Sequence, residues 1–381
     1  MNSSMLSFSV NGLMNTSPFM ARSYSFKLGN LCISKHLSTR FVSPLILING
    51  YLQFSVQRSN FKKYLSNTMR IENNCQNLKV VNQRKSFSSV ISDTLFENIE
   101  SNEAGGSIFF NNEAVDLIIT SCHFINSKST GIVSLGTRPD AGGGGFCSLS
   151  ATAKFSKLCF TNCVASNVGG AFYSQVPTGS KQYLNDSSII SCKTFLHNGW
   201  SSDWGYISNN NINGTSIFAS NGNSCGYRIT SDGCCVKYSH FQNCTANGNT
   251  YGIIGDYSPN SMNDDIDDCN FISNRADLSI VCLHSDTSII TKIRRSSFID
   301  NIALYPVTYY NVEPQFINCW GQSSFLTANG IYTNCNFNNQ KQTHSFKIDF
   351  CTCNEIKNTF IGQRFQPDKS ILLSVLLFYY L

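Results

Sequence analysis

The sequence predicts an all-β fold, a single-stranded right-handed parallel β-helix, on three observations: a phenylalanine–asparagine–glycine repeat, a turn-rich composition and few charges. Of 381 residues, 28 are Phe and 43 are Asn, while only 13 % are charged. Asn and Ser compete with the helical backbone for hydrogen bonds but sit comfortably at turns, so this composition disfavours helices. A chain of this length buries a large core without covalent staples.

The repeat supplies the strands. Phe96 precedes Gly106 by ten residues, Phe160 precedes Gly170 by ten, and Phe195 precedes Gly205 by ten. A fourth copy runs from Phe241 to Gly252 with one extra residue. Each copy has an Asn two or three positions after the Phe and an apolar strand after the Gly. Weaker copies begin at Phe124, Phe271, Phe298, Phe316 and Phe337. A second strand-like run precedes most of these, often with a Cys just ahead of the Phe, as at Cys122, Cys159 and Cys269.

One such unit cannot bury its apolar side chains alone. Copies stacked at about 4.8 Å, the strand spacing, share one interior and place like residue over like. Phe then stacks on Phe, and Asn occupies turns whose backbone tolerates the left-handed conformation. The glycines mark a corner where a Cβ would obstruct the backbone, and variable loops leave the stack at one edge. A leucine-rich repeat needs a Leu ladder at constant spacing, and a propeller needs antiparallel blades; neither pattern is present.

Residues 88–345 therefore form the β-helix, in about nine coils. Residues 1–87 read as a basic, irregular N-terminal segment: the first 85 carry eleven Lys or Arg against Glu72 alone. A transit peptide, or a nucleic-acid or membrane-surface arm, is the alternative reading of that segment; for the chain as a whole no nucleic-acid partner is expected. Residues 346–381 form a C-terminal cap or tail. Its end, Ile371–Leu381, is apolar over about 16 Å if helical, half a bilayer core. It reads equally as part of a membrane anchor, the tail of a lipid-anchor signal, or a last core element. No clear signal peptide opens the chain.

The Phe160-Thr-Asn162-Cys163 run followed by Gly169-Gly170-Ala171-Phe172-Tyr173 resembles the repeats of chlamydial polymorphic outer-membrane proteins. It is similar also to the β-helix surface proteins of flagellate protists. The resemblance spans about residues 88–345 and implies a pectin-lyase-like solenoid working as an adhesin or surface antigen. On that basis the expected function is cell-surface or extracellular recognition or structure, with a host or cell-surface protein or glycan as partner.

The alternative function is a β-helix polysaccharide lyase or glycoside hydrolase. Its acidic site would be Asp264, Asp265, Asp267 and Asp268, with Arg294 and Arg295 one coil later. The bland reading of the same residues is a surface ion ladder of Arg over Asp. His123 and His240 precede the motif Phe and are expected to point outward, too far apart to share a metal. Cys234-Cys235 and Cys351-Thr-Cys353 lack further ligands at metal spacing and read as local disulfides or core thiols. Seventeen cysteines, an odd count, leave at least one unpaired in a monomer and hint at an oxidising compartment. Asn185, Asn213 and Asn243 open glycosylation sequons; Asn243 is also a turn Asn, so only the first two are expected acceptors. Gly142–Gly145 lacks a following Lys-Ser/Thr and reads as a corner, not a phosphate loop. No catalytic residue, metal ligand or cofactor-binding residue is assigned, and no cofactor is expected.

Overall fold

The computed structural model describes residues 9–11, 19–22, 30–34, 37–39, 44–49, 53–72, 87–135, 138–195, 198–220, 224–229, 233–247, 252–258, 264–322 and 331–338. All described elements are strands joined by turns and bends, so the chain is all-β. The strands pair in parallel, the exception being Val133–Leu135 with Arg138–Ala141 inside one loop.

A repeating unit of four strands builds these sheets. One unit comprises Ile108–Asn112, Val115–Thr120, His123–Ile125 and the short Lys128–Ser129. The next comprises Phe146–Ser150, Ala153–Ser156, Cys159–Thr161 and Val164–Ala165. Each strand pairs in register with its counterpart: Ile108 with Phe146, Leu117 with Ala153, Phe124 with Phe160 and Ser129 with Ala165. In some units the second and third strands fuse, as in Lys181–Ile190, and in others the first and second, as in Ser279–Arg294. The same pairing occurs within residues 1–87, where Ser38 lies beside Phe61 and Ile48 beside Ile71. Alternating apolar residues there, Phe54, Val56, Phe61 and Ile71, are buried.

Two columns of left-handed turns bracket the third strand. Among the described residues, 22 non-glycine residues have positive φ; twenty fall in these columns, and eleven of the twenty are Asn or Asp. Asn and Asp tolerate this conformation better than other side chains, which accounts for the Asn-rich composition. Each turn N–H is satisfied by the neighbouring unit: Asn98 donates to Ile125 O, Asn126 to Thr161 O, and Asn162 to Ile190 O. The side chains add an exposed ladder, with Asn126 Nδ2 on Asn98 Oδ1 at 2.8 Å and Asn162 Nδ2 on Asn126 Oδ1 at 3.3 Å.

The residue after the first turn is small and hydroxyl- or thiol-bearing in most units, and it bonds back to the carbonyl two residues earlier. Ser59, Thr94, Cys122, Ser239 and Cys269 all do so. Cysteine is interchangeable here with serine and threonine, so Cys122 and Cys269 ahead of the Phe are a turn feature, whereas Cys159 lies one residue farther on, in the third strand.

The phenylalanine column is the spine of the core. Phe61, Phe96, Phe124 and Phe160 stack face to face, with the last three spaced at 4.9 Å. Ile189 and Gly214 follow in register, then Phe241, Phe271 and Phe298 stack again. A Cβ on Gly214 would lie 2.7 Å from the Phe241 ring, and the ring stacked on Phe241 from this unit is that of Trp200, at 6.0 Å. Two expectations of the repeat alignment fail. Phe195 is exposed and outside the column, because Ile189 holds the position paired with Phe160. Phe316 pairs with Ile293 and Tyr332 in the second-strand sheet, while Gly321 takes the place beside Phe298. Phe316 mimics the motif because its second-strand column also takes aromatic residues, Phe155 and Tyr332.

The glycine corner precedes the first strand. Gly105 N donates to Gly142 O, Gly106 N to Gly143 O, and Gly144 N to Gly169 O. A Cβ on Gly144 would lie 2.1 Å from Gly170 O, so the backbones meet too closely for any side chain. Gly142–Gly145 is thus the corner between the Gly105–Gly106 and Gly169–Gly170 copies. Gly205, from the misaligned third copy, sits elsewhere, beside Ser180.

Candidate functional site

Of the acidic cluster, Asp265 and Asp267 lie on the outward face of the second-strand sheet and Asp268 in the turn that follows; the side chain of Asp264 lies outside the described residues. Asp264–Asp267 pairs with Thr291–Arg294, which sets Asp265 beside Lys292 and Asp267 beside Arg294. Arg294 Nη2 reaches Asp265 at 2.9 Å and Asp267 at 3.3 Å. Arg295, in the turn column, reaches Asp267 at 2.6 Å and grips both Asp268 oxygens at 2.8 Å. That grip, ahead of the Asp267 charge, holds the Arg295 guanidinium above its ordinary pKa. Two guanidiniums thus tie up three carboxylates, as the ion-ladder reading expects.

The two histidines stand apart in one column, separated by Cys159, Ser188 and Asn213. That is four strand spacings, about 19 Å. His240 is half-buried beside Gln242 Oε1 at 3.2 Å. His123 is different: it is fully buried, and neither ring nitrogen has a hydrogen-bond partner. Burial lowers its pKa to about 4. It is buried although it stands opposite Phe124, because that side of the third-strand sheet is itself covered here, with Leu95 and Cys159 buried on either side of it. Among the described residues, no group of three or more His, Cys, Asp or Glu is placed to hold a metal ion.

Cys234 and Cys235 are buried thiols, Cys235 Sγ bonding Ser208 Oγ at 3.2 Å. Cys159 is disulfide-bonded. Cys351, Cys353 and the apolar Ile371–Leu381 lie outside the described residues; no described helix is long and apolar enough to cross a membrane. Of the sequon asparagines, Asn185 and Asn213 sit within strands and accept side-chain hydrogen bonds from Asn210 and Thr215. Asn243 is the exposed one, because its left-handed turn pushes it out of the sheet.

The sequence reading missed the outward face of the first-strand sheet. Near its middle this face is sealed: Phe109, Cys147, Leu149 and Tyr173 form an outer apolar cluster with Ala104 and Val168. Farther along, the seal ends. Tyr257, His284 and Tyr310 stand in register in three successive units, ring centroids 4.8 Å apart at each step. Tyr257 OH donates to Asp286 Oδ2 at 2.8 Å. Tyr310 is 63 % exposed; Tyr305 of the same unit is exposed too, as are Ile302 and Leu304 at the end of the unit before it. The stripe's signal in sequence is spacing: its members recur at 27 and 26 residues, the local unit length. It becomes visible only when that length is known.

No protein-family model, curated protein or solved structure matches this chain.

Proposed function

We propose that the stacked units wind as a right-handed parallel β-helix, and that the protein works at the cell surface or outside the cell as a recognition or structural element. The reading is supported by in-register parallel pairing through every described unit, with loops leaving the stack at its corners. One observation carries the recognition role: the stripe of Tyr257, His284 and Tyr310, half-buried at its first two rings and exposed at the last, with Tyr305 exposed in the same unit as Tyr310. Aromatic rings with polar tips offer flat apolar area at low entropic cost, which suits a glycan or protein partner. An isolated exposed apolar residue needs no explanation; two rings in one unit that continue a stacked stripe do.

Surface biotinylation of the producing cell tests location, and labelling only after lysis contradicts it. Glycan-array and cell-binding assays of the full chain test recognition. Tyr310→Ala is expected to weaken binding by about tenfold, the cost of about 1.4 kcal/mol at a contact ring. Unchanged binding moves recognition elsewhere. Depolymerisation of polysaccharide by the wild type that is lost in Asp265→Asn would instead establish the enzyme reading.

A further inference from the structure

Two thiols at the end of the described stack occupy equivalent places in adjacent units. Ile317 pairs with Thr333, and Trp320 forms a bridge with Asn336. The offset is the same at both places, so Cys319 and Cys335 between them lie one directly beside the other. Neighbouring strands sit about 4.8 Å apart, inside the Cα range that a disulfide spans. Cys319 N–H donates to Cys335 Sγ at 3.4 Å. Each thiol also points to the carbonyl two residues before it, Cys319 to Ile317 O and Cys335 to Thr333 O, so the same turn aims both.

A second pair has the same arrangement. Thr161 pairs with Ile190 and Val164 with Lys193, which places Cys163 beside Cys192. Both of those are fully buried, and burial drives the Cys192 thiol far up. Cys335 is the one described free cysteine that is not buried. Position, not pairing, therefore separates a reactive pair from an inert one.

We infer that Cys319 and Cys335 form a reversible disulfide that ties the last described strand, Ile331–Thr333, to the unit before it, with a low-molecular-weight disulfide as oxidant. The Cys335 thiolate attacks one sulfur of the small disulfide, whose S–S bond breaks and releases one thiolate. Cys319 then gives its proton to water and attacks Cys335 Sγ, expelling the second small thiolate. Two protein thiols are oxidised and one small disulfide is reduced to two thiols. Attack requires a thiolate, and the Cys319 thiol and nearby backbone amides lower Cys335 to about 6, which supplies one at neutral pH. A cross-link here holds an edge strand that has a partner on one side only among the described residues.

The test uses the full native chain, oxidised with graded glutathione disulfide, quenched by alkylation and mapped by peptide mass spectrometry. The expected product is a linked Cys319–Cys335 peptide pair, two hydrogens lighter, forming before any other. Cys163 and Cys192 should take alkylating reagent only after unfolding. Cys319→Ser should trap glutathione on Cys335, and Cys335→Ser should carry no glutathione at either position. In the oxidised wild type, amide exchange over 331–338 should slow at least tenfold. Pairing of Cys335 with Cys351 or Cys353, a lasting glutathione adduct on the wild type, or faster oxidation of Cys163 and Cys192 overturns the inference.

Discussion

His123 is a titratable ring placed where it must stay neutral. In the unfolded chain its pKa is 6.5, and in the folded chain about 4. A folded value below the unfolded one means that the unfolded state binds the proton first. The stability of neutral His123 is therefore fully present above pH 6.5 and is lost as pH falls towards 4. The limit of that loss is roughly 3 kcal/mol, at about 1.4 kcal/mol per pH unit. Urea denaturation at pH 7.5 and pH 4.5 should show it, and His123→Phe should remove most of the difference. An unchanged pH dependence in that variant assigns the acid sensitivity to other groups. The sequence placed His123 correctly opposite Phe124 but could not place it under cover, because alternation gives the face and not what packs on it. The acidic cluster was more legible. Its partners Arg294 and Arg295 are local in sequence, one unit away, so the register that pairs Asp267 with Arg294 follows from unit length alone.

At the scale of elements, strands are held by columns, and a column tolerates substitution according to its neighbours. Phe124 stacks on Phe96 and Phe160 at 4.9 Å and is fully buried. Phe124→Ala removes a ring from the middle of that stack and should cost about 3–5 kcal/mol. Phe195→Ser, at a residue with the same motif in sequence, should cost under about 0.5 kcal/mol because Phe195 is exposed. Equal losses in a denaturation series would contradict the columns. Gly144→Ala should be as damaging as Phe124→Ala, since its Cβ meets the carbonyl of Gly170 and not a movable side chain. Aromatic and glycine repeats thus specified the strands, their parallel pairing and the glycine corner. They failed where a unit replaced its own motif: Ile189 and Gly214 stand in the Phe column, and the ring stacked on Phe241 comes from Trp200 on another strand. Such a replacement leaves no periodic trace. The exposed stripe was equally silent, since Tyr, His and Tyr at unit spacing look like any other outward residues until the strand pairing gives the register.

In the whole molecule each interior described unit pairs with the one before and the one after, and up to three of its longer strands do so at once. Residues in distant units share no hydrogen bonds; Phe96 and Phe298, for example, are joined only through the intervening column. Stability is then close to a sum of unit terms and nearest-neighbour interfaces. A lesion in one unit weakens its own hydrogen bonds and both interfaces, and its effect decays along the stack. Hydrogen exchange read strand by strand in Phe124→Ala makes this measurable. Protection should fall most in Leu95–Glu97 and Cys159–Thr161, which sandwich the mutated strand, and least in Ser297–Ile299. A uniform loss across all three would mean that the chain unfolds as one cooperative body despite its neighbour-only contacts. A graded loss would leave the Tyr257–His284–Tyr310 stripe intact in a variant damaged near Phe124. Ligand binding should then survive core lesions remote from the stripe while failing with Tyr310→Ala.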